Sequence, residues 1–281
     1  MSTLSQKSKE KTPTLMRSNP ILNRLNKVTE RSETNTASYA GIATKTTYFL
    51  VITLVGMILQ LIVKGMLASE PVWQTITIYE KFVVNLSAKE TGILAGVLIV
   101  GFICELIGVF VRRTVPVTGT VYCLGQGYLI SFLVFKVLVG YEYLGLEALL
   151  LTVAVVVVMS WLYTSGIVKV NKKFHMVLMG LVIGSIGVGL LSFLGYLLPV
   201  TRPYVQSMMQ NAVLSVAFDV IGLIIAAPFL ISDFSTIQTC VEEGYPQNYE
   251  WYAAFGLAFT VIWIYLKILD LLMQLAGSKK D

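Results

Sequence analysis

Apolar residues in this chain form long unbroken runs, parted by short polar breaks. Seven runs stand out, at about 46–68, 91–112, 118–139, 144–166, 174–198, 211–232 and 250–275. Each is close to the roughly 20 residues that an α-helix needs to cross a hydrocarbon core. The breaks carry turn chemistry and charge. Arg112, Arg113 and Pro116 part the second and third runs; Lys169, Asn171, Lys172 and Lys173 part the fourth and fifth. Pro199, Arg202 and Pro203 close the fifth, and Glu242, Glu243, Gly244 and Pro246 precede the last. Inside a bilayer only helices and closed barrels satisfy the backbone, and barrel strands would alternate in polarity about every second residue. The runs here do not alternate, so the pattern predicts an all-α integral membrane protein, a bundle of seven transmembrane helices.

Composition agrees: 56% of the 281 residues are hydrophobic and 13% charged, about half the charge of a soluble domain. Three regions follow: a polar, basic tail at 1–45, the membrane domain at 46–275 and a short tail at 276–281. No cleavable leader is expected, because the first apolar run starts near Thr46 and is too long for one. Eight of the Lys and Arg residues fall in the first 45 positions. With the N-terminus inside, inner segments hold thirteen Lys and Arg against five outside, which predicts a cytoplasmic N-terminus in the cell membrane. A basic tail beside anionic headgroups explains the charge, and no nucleic-acid partner is expected. Within the tail, residues 16–22 could form a docking segment.

Three cysteines and a single histidine, His175, give no disulfide framework and no zinc or haem ligand set. No GxSxG, HExxH or phosphate-binding loop is present, so the chain does not read as an enzyme and no resident cofactor is expected. Two glycine spacings, Gly180/Gly184/Gly187 and Gly92/Gly96, predict close helix packing.

The candidate chemistry lies in polar residues at membrane depth, where a charge costs at least about 2.5 kcal/mol and usually faces protein or a wet cavity. These are Glu105, Gln126, Lys136, Glu147, Asp219, Asp233, Lys267 and Asp270. Glu105 and Glu147 read as helix-end or packing carboxylates. Asp219 and Asp233 share one face of the sixth span, about 21 Å apart at 1.5 Å per residue. They could mark the two ends of a cation path and act as transient calcium ligands. Pro228 between them predicts a kink. Lys267 and Asp270 are spaced for a local pair on the last span.

The stretch Glu250-Trp251-Tyr252-Ala253-Ala254-Phe255-Gly256-Leu257, with Trp263-Ile264-Tyr265-Leu266, resembles the last span of the transmembrane Bax inhibitor family, in its bacterial YccA-like branch. Asp233-Phe234 followed by Ile237 is similar to that family's aspartate motif, and Arg17-Ser18-Asn19-Pro20 to the start of one branch. The resemblance implies a seven-helix bundle with the last helix near the centre. It implies a pH-sensitive calcium leak or ion sensor using carboxylates on the sixth and seventh spans. The alternative it implies is a regulator of a membrane-bound protease or other membrane partner, with no transport. By this resemblance Asp233 matches the first aspartate of a pair, Lys267 falls where the second is expected, and Gln126 stands where a glutamate is common. A direct Asp233–Lys267 contact must bridge about 15 Å of depth. If Lys267 replaces a carboxylate there, the response to pH should be weaker than in relatives with two. Calcium or protons are the expected cargo, and the lipid bilayer the expected surrounding.

Overall fold

A computed structural model describes residues 36–79, 81–168, 170–210 and 212–278. The long helices, in chain order, are α1 (Tyr39–Met66), α2 (Ala88–Phe110), α3 (Val115–Phe132), α4 (Tyr143–Thr164), α5 (Lys172–Leu197), α7 (Ala212–Glu242) and α8 (Tyr249–Ser278), with a short α6 (Arg202–Gln210). An antiparallel hairpin, β1 (Gln74–Ile78) and β2 (Phe82–Leu86), joins α1 to α2. Among the described residues six helices (α1–α4, α7 and α8) are long and apolar enough to cross a membrane. α5 is a 26-residue helix at the fifth expected span, with several side chains outside the described set, His175 among them. The 16–22 segment also lies outside the described residues.

Local chemistry explains the helix starts. Ser38 caps α1, its side chain accepting from Gly41 N at 3.0 Å. Ser87 and Glu90 form a reciprocal capping box on α2. Asn171 caps α5 by accepting from Phe174 N at 2.8 Å. α3 follows a 3-10 turn at Arg112–Thr114, with a proline in its first turn, and ends in a π-turn over Leu133–Val137. There Lys64 Nζ donates to the Phe135 carbonyl at 2.6 Å, satisfying an acceptor near the helix end.

The sixth expected span, to about residue 232, is ten residues too short. α7 runs through Pro228 to Glu242, because neighbouring helices and side chains compensate a proline inside a bundle. Asp233 is therefore an interior residue of α7 and not its last turn. Gly244, at φ 63°, reverses the chain into α8.

α8 packs against α1, α3, α4 and α7. Phe49 of α1 meets Trp251 and Phe255 of α8 edge-on, both with ring centroids 5.7 Å apart, and Tyr122 of α3 meets Phe255 at 5.6 Å. Apolar side chains on α1, α2, α4 and α5 point outward instead, Leu54, Ile99, Leu150 and Leu191 among them. In water this would be unfavourable; against acyl chains it is the preferred arrangement.

The expected glycine packing is overturned. A Cβ on Gly92, Gly96, Gly180, Gly184 or Gly187 would meet nothing within 4 Å, because these glycines face away from neighbouring helices. The close crossing lies between α1 and α3. A Cβ on Gly56 would collide with the Leu124 carbonyl, and one on Gly127 with the Thr53 carbonyl. Gly56 and Gly127 stand on different helices, so no spacing within one helix signals them.

Candidate functional site

Polar side chains gather at three levels. At the level where α1 and α8 begin, Glu250 is buried and pairs with Lys45. It also accepts from Ser38 N at 2.8 Å and Ser38 Oγ at 3.1 Å. Ala37 N donates to the Tyr245 carbonyl at 2.7 Å, and Thr36 bridges Pro246. The start of α1 is thus strapped to the turn between α7 and α8. Beside it Arg112 lies 5.3 Å from the ring centroids of both Tyr249 and Tyr252, a cation–π arrangement.

One level deeper is Asp233. Its Oδ2 is buried without a hydrogen-bond partner. The Thr260 side chain of α8 lies beside the carboxylate, and Oδ1 lies 3.4 Å from where a Cβ on Gly256 would stand. Gly256 and the acid are thus neighbours across the α7–α8 contact. The residue facing Asp233 from the last helix is Thr260, not Lys267. Similar rise along the two helices explains this: Asp233 lies 9 residues before the end of α7 at Glu242 and Thr260 lies 11 after the start of α8 at Tyr249, whereas Lys267 lies two turns further on.

Lys267 belongs to the third level, near the far end of α8. Its Nζ is 2.7 Å from Asp219 Oδ1. Gln274 Nε2 donates to Asp219 Oδ2 and to the Tyr79 hydroxyl, the latter at 3.1 Å. Tyr79 in turn donates to Asp270 Oδ1 at 2.5 Å, and Asp270 also contacts Asp219. Tyr79 sits in the hairpin turn at φ 50°, a strained conformation for a bulky residue. Burial, followed by the bond to Asp270, holds its phenol proton above the ordinary range. Close backbone approach fixes the hairpin here: a Cβ on Gly277 would meet Tyr79 O at 2.9 Å, and Lys81 Nζ donates to the Ala276 carbonyl at 3.2 Å. A cavity of about 270 Å³ opens beside this cluster, lined by Ile78, Tyr79, Leu133, Trp263, Leu266, Lys267, Asp270 and Met273.

Asp219 and Asp233 are absent from that lining. Between them on α7, Ala226 and Leu230 are fully buried, so apolar side chains part the two acidic levels. Gln126 on α3 has a buried, unpartnered Oε1. Glu105 on α2 is half-buried and close enough to Tyr122 to interact with it electrostatically. Glu147 is exposed on α4. Lys136 pairs with the capping Glu90. Thr260, Gly256, Tyr79 and Gln274 are functional candidates that sequence reasoning missed. Three are uncharged in spans where charge draws attention, and Tyr79 lies in a loop. Among the described residues no group of three or more His, Cys, Asp or Glu is placed to hold a metal ion.

A family model described as Bax inhibitor 1 like matches residues 19–277. No curated protein and no solved structure matches the chain.

Proposed function

The chain belongs to the Bax inhibitor 1 like family, and on that premise we propose that it passes a cation such as calcium across the cell membrane along its sixth and seventh spans. In this reading the bundle has seven spans, counting α5, with a cytoplasmic N-terminus and α8 as the central helix. The contacts of α8 with four other helices support that centrality.

One observation carries the reading: the Asp233 carboxylate is buried mid-bundle with an oxygen lacking a partner. A carboxylate at that depth is costly unless it serves a path or a switch. Hard cations seek such oxygens. Asp233 is the inner ligand, Asp219 and Asp270 are the outer acidic groups, and Lys267 neutralises Asp219. The buried Ala226 and Leu230 form the closed gate, a dry constriction that conducts only when wetted. Opening requires α7 to shift against α8, and protonation of Asp233 would bias that shift.

The test is calcium entry into liposomes carrying the full chain and an internal calcium dye. Asp233→Asn should slow entry about tenfold, as expected for loss of an intramembrane ligand. Liposomes that leak no faster than empty ones, or a variant that leaks like the parent, would overturn the proposal. Regulation of a membrane protease is the second reading. The strap of residues 36–38 on the α7–α8 turn favours it, since a partner pulling the tail would act directly on that turn. Removal of residues 1–35 should then abolish partner capture and leave flux intact.

A further inference from the structure

We propose that the cavity beneath the hairpin is a binding site for an organic monocation, an ammonium group carrying a small apolar body. The inference concerns binding and stands apart from the flux reading, because the site lies at another level from Asp233 and is parted from it by buried Ala226 and Leu230.

Charge count comes first. Asp219 and Asp270 are in mutual contact, and among the described residues Lys267 is the ammonium that pairs with them. Two touching carboxylates against one ammonium leave the cluster room for one further positive charge, either a shared proton or a bound cation. Lys267 is committed to Asp219 at 2.7 Å. Asp270 is held by the neutral Tyr79 hydroxyl and lines the cavity. Gln274, 3% exposed, keeps its Oε1 buried and unpartnered within the same cluster. Buried acceptors of this kind are normally satisfied, so the cluster is short of donors as well as of charge.

The shape of the cavity selects the ligand. Its wall is mostly apolar, from Ile78, Leu133, Leu266 and Met273, with the rings of Tyr79 and Trp263. A bare metal ion would find too few oxygens here. An ammonium with an apolar body matches all of it: charge to Asp270, cationic face to the rings, and alkyl groups to the aliphatic wall. The volume of about 270 Å³ is near the lower end for ligand pockets, about 300 Å³, which limits the ligand to a small one. The level of the site, at the end of α8 under the extramembrane hairpin, allows two sources of this chemistry: a lipid headgroup ammonium or a free amphiphile.

The experiment uses the full chain in uncharged maltoside micelles, with thermal unfolding as readout. Hexyltrimethylammonium should raise the Tm saturably, and hexanol at equal concentration should not. Asp270→Asn should weaken the apparent affinity about tenfold, the size expected of a desolvated cation contact. Leu266→Trp, which fills the cavity and leaves every charge in place, should abolish the response. Phosphatidylcholine that competes, where phosphatidylglycerol does not, identifies a headgroup as the source; competition by neither identifies a free amphiphile. An equal response to hexanol, a response surviving Leu266→Trp, or no response in the folded parent protein would overturn the site.

Discussion

Lys267 of α8 pairs with Asp219 of α7, Nζ to Oδ1 at 2.7 Å, and thereby leaves Asp233 to a threonine. This division of partners separates a charge-compensated outer level from an inner level with one lone carboxylate.

Removing the lysine should expose the cost of the arrangement. Asp219 is 6% exposed, so Lys267→Met strands a buried charge. The full penalty for breaking a buried pair is about 3–5 kcal/mol, reduced to about 1–3 because the lysine side chain is a third exposed. Asp219→Asn together with Lys267→Met should recover most of that loss. Thermal unfolding in micelles measures both, and a double variant no better than the single one would contradict the pairing.

Thr260→Asp should create the second carboxylate that this level lacks. Two close acids share a proton and titrate in coupled steps. Flux in liposomes across pH 5–8 should then depend on pH more steeply than in the parent protein, where Asp233 is the single acid at this level. Equal profiles for the two would show that Thr260 does not face Asp233.

The α1–α3 crossing makes a contrast of glycines. Gly56→Ala and Gly127→Ala should each cost about 3 kcal/mol or more, since the new methyl meets a backbone carbonyl that cannot step aside. Gly92→Ala and Gly96→Ala meet nothing and should stabilise by up to about 1 kcal/mol through helix propensity. Comparing the four unfolding midpoints tests the helix register directly.

Tyr79→Phe should loosen the hairpin. The change removes one donor to Asp270 and one acceptor from Gln274, a loss of about 1–3 kcal/mol for groups left unsatisfied. Amide exchange over residues 74–86 should accelerate, while exchange in α3 stays unchanged. The phenol is held protonated above its ordinary range near 10, so its contribution is fully present below about pH 10 and fades only above it. The effect of Tyr79→Phe should therefore be the same at pH 5 and pH 8. A hairpin unaffected by the substitution would show that the latch is elsewhere.

Much of this was legible in the chain. Runs of apolar residues located the helices to within a few residues, apart from the inner end of α7 and the start of α1, which begins at Tyr39, seven residues inside the expected tail, and depth cost singled out Asp219, Asp233, Lys267 and Asp270. What stayed hidden depends on relations between helices. The partner of Asp233 is a threonine, which carries no charge to betray it. The hairpin alternates in Thr75-Ile76-Thr77-Ile78, a strand signal overshadowed by the longer apolar runs around it. Gly56 and Gly127 matter because two backbones touch, which no single-helix spacing encodes.

The first and last long helices are clasped at both ends, by Lys45 and Ser38 to Glu250 at one and by the Tyr79 hairpin to Asp270 at the other. A ribosome delivers α8 after α1–α7, so neither clasp can close until those seven helices have been made. A nascent chain halted before residue 249 would enter the bilayer with Lys45, Asp219 and Tyr79 all awaiting partners. Quality control could read that incompleteness, since a protein missing α8 alone lacks the fastening at both faces at once.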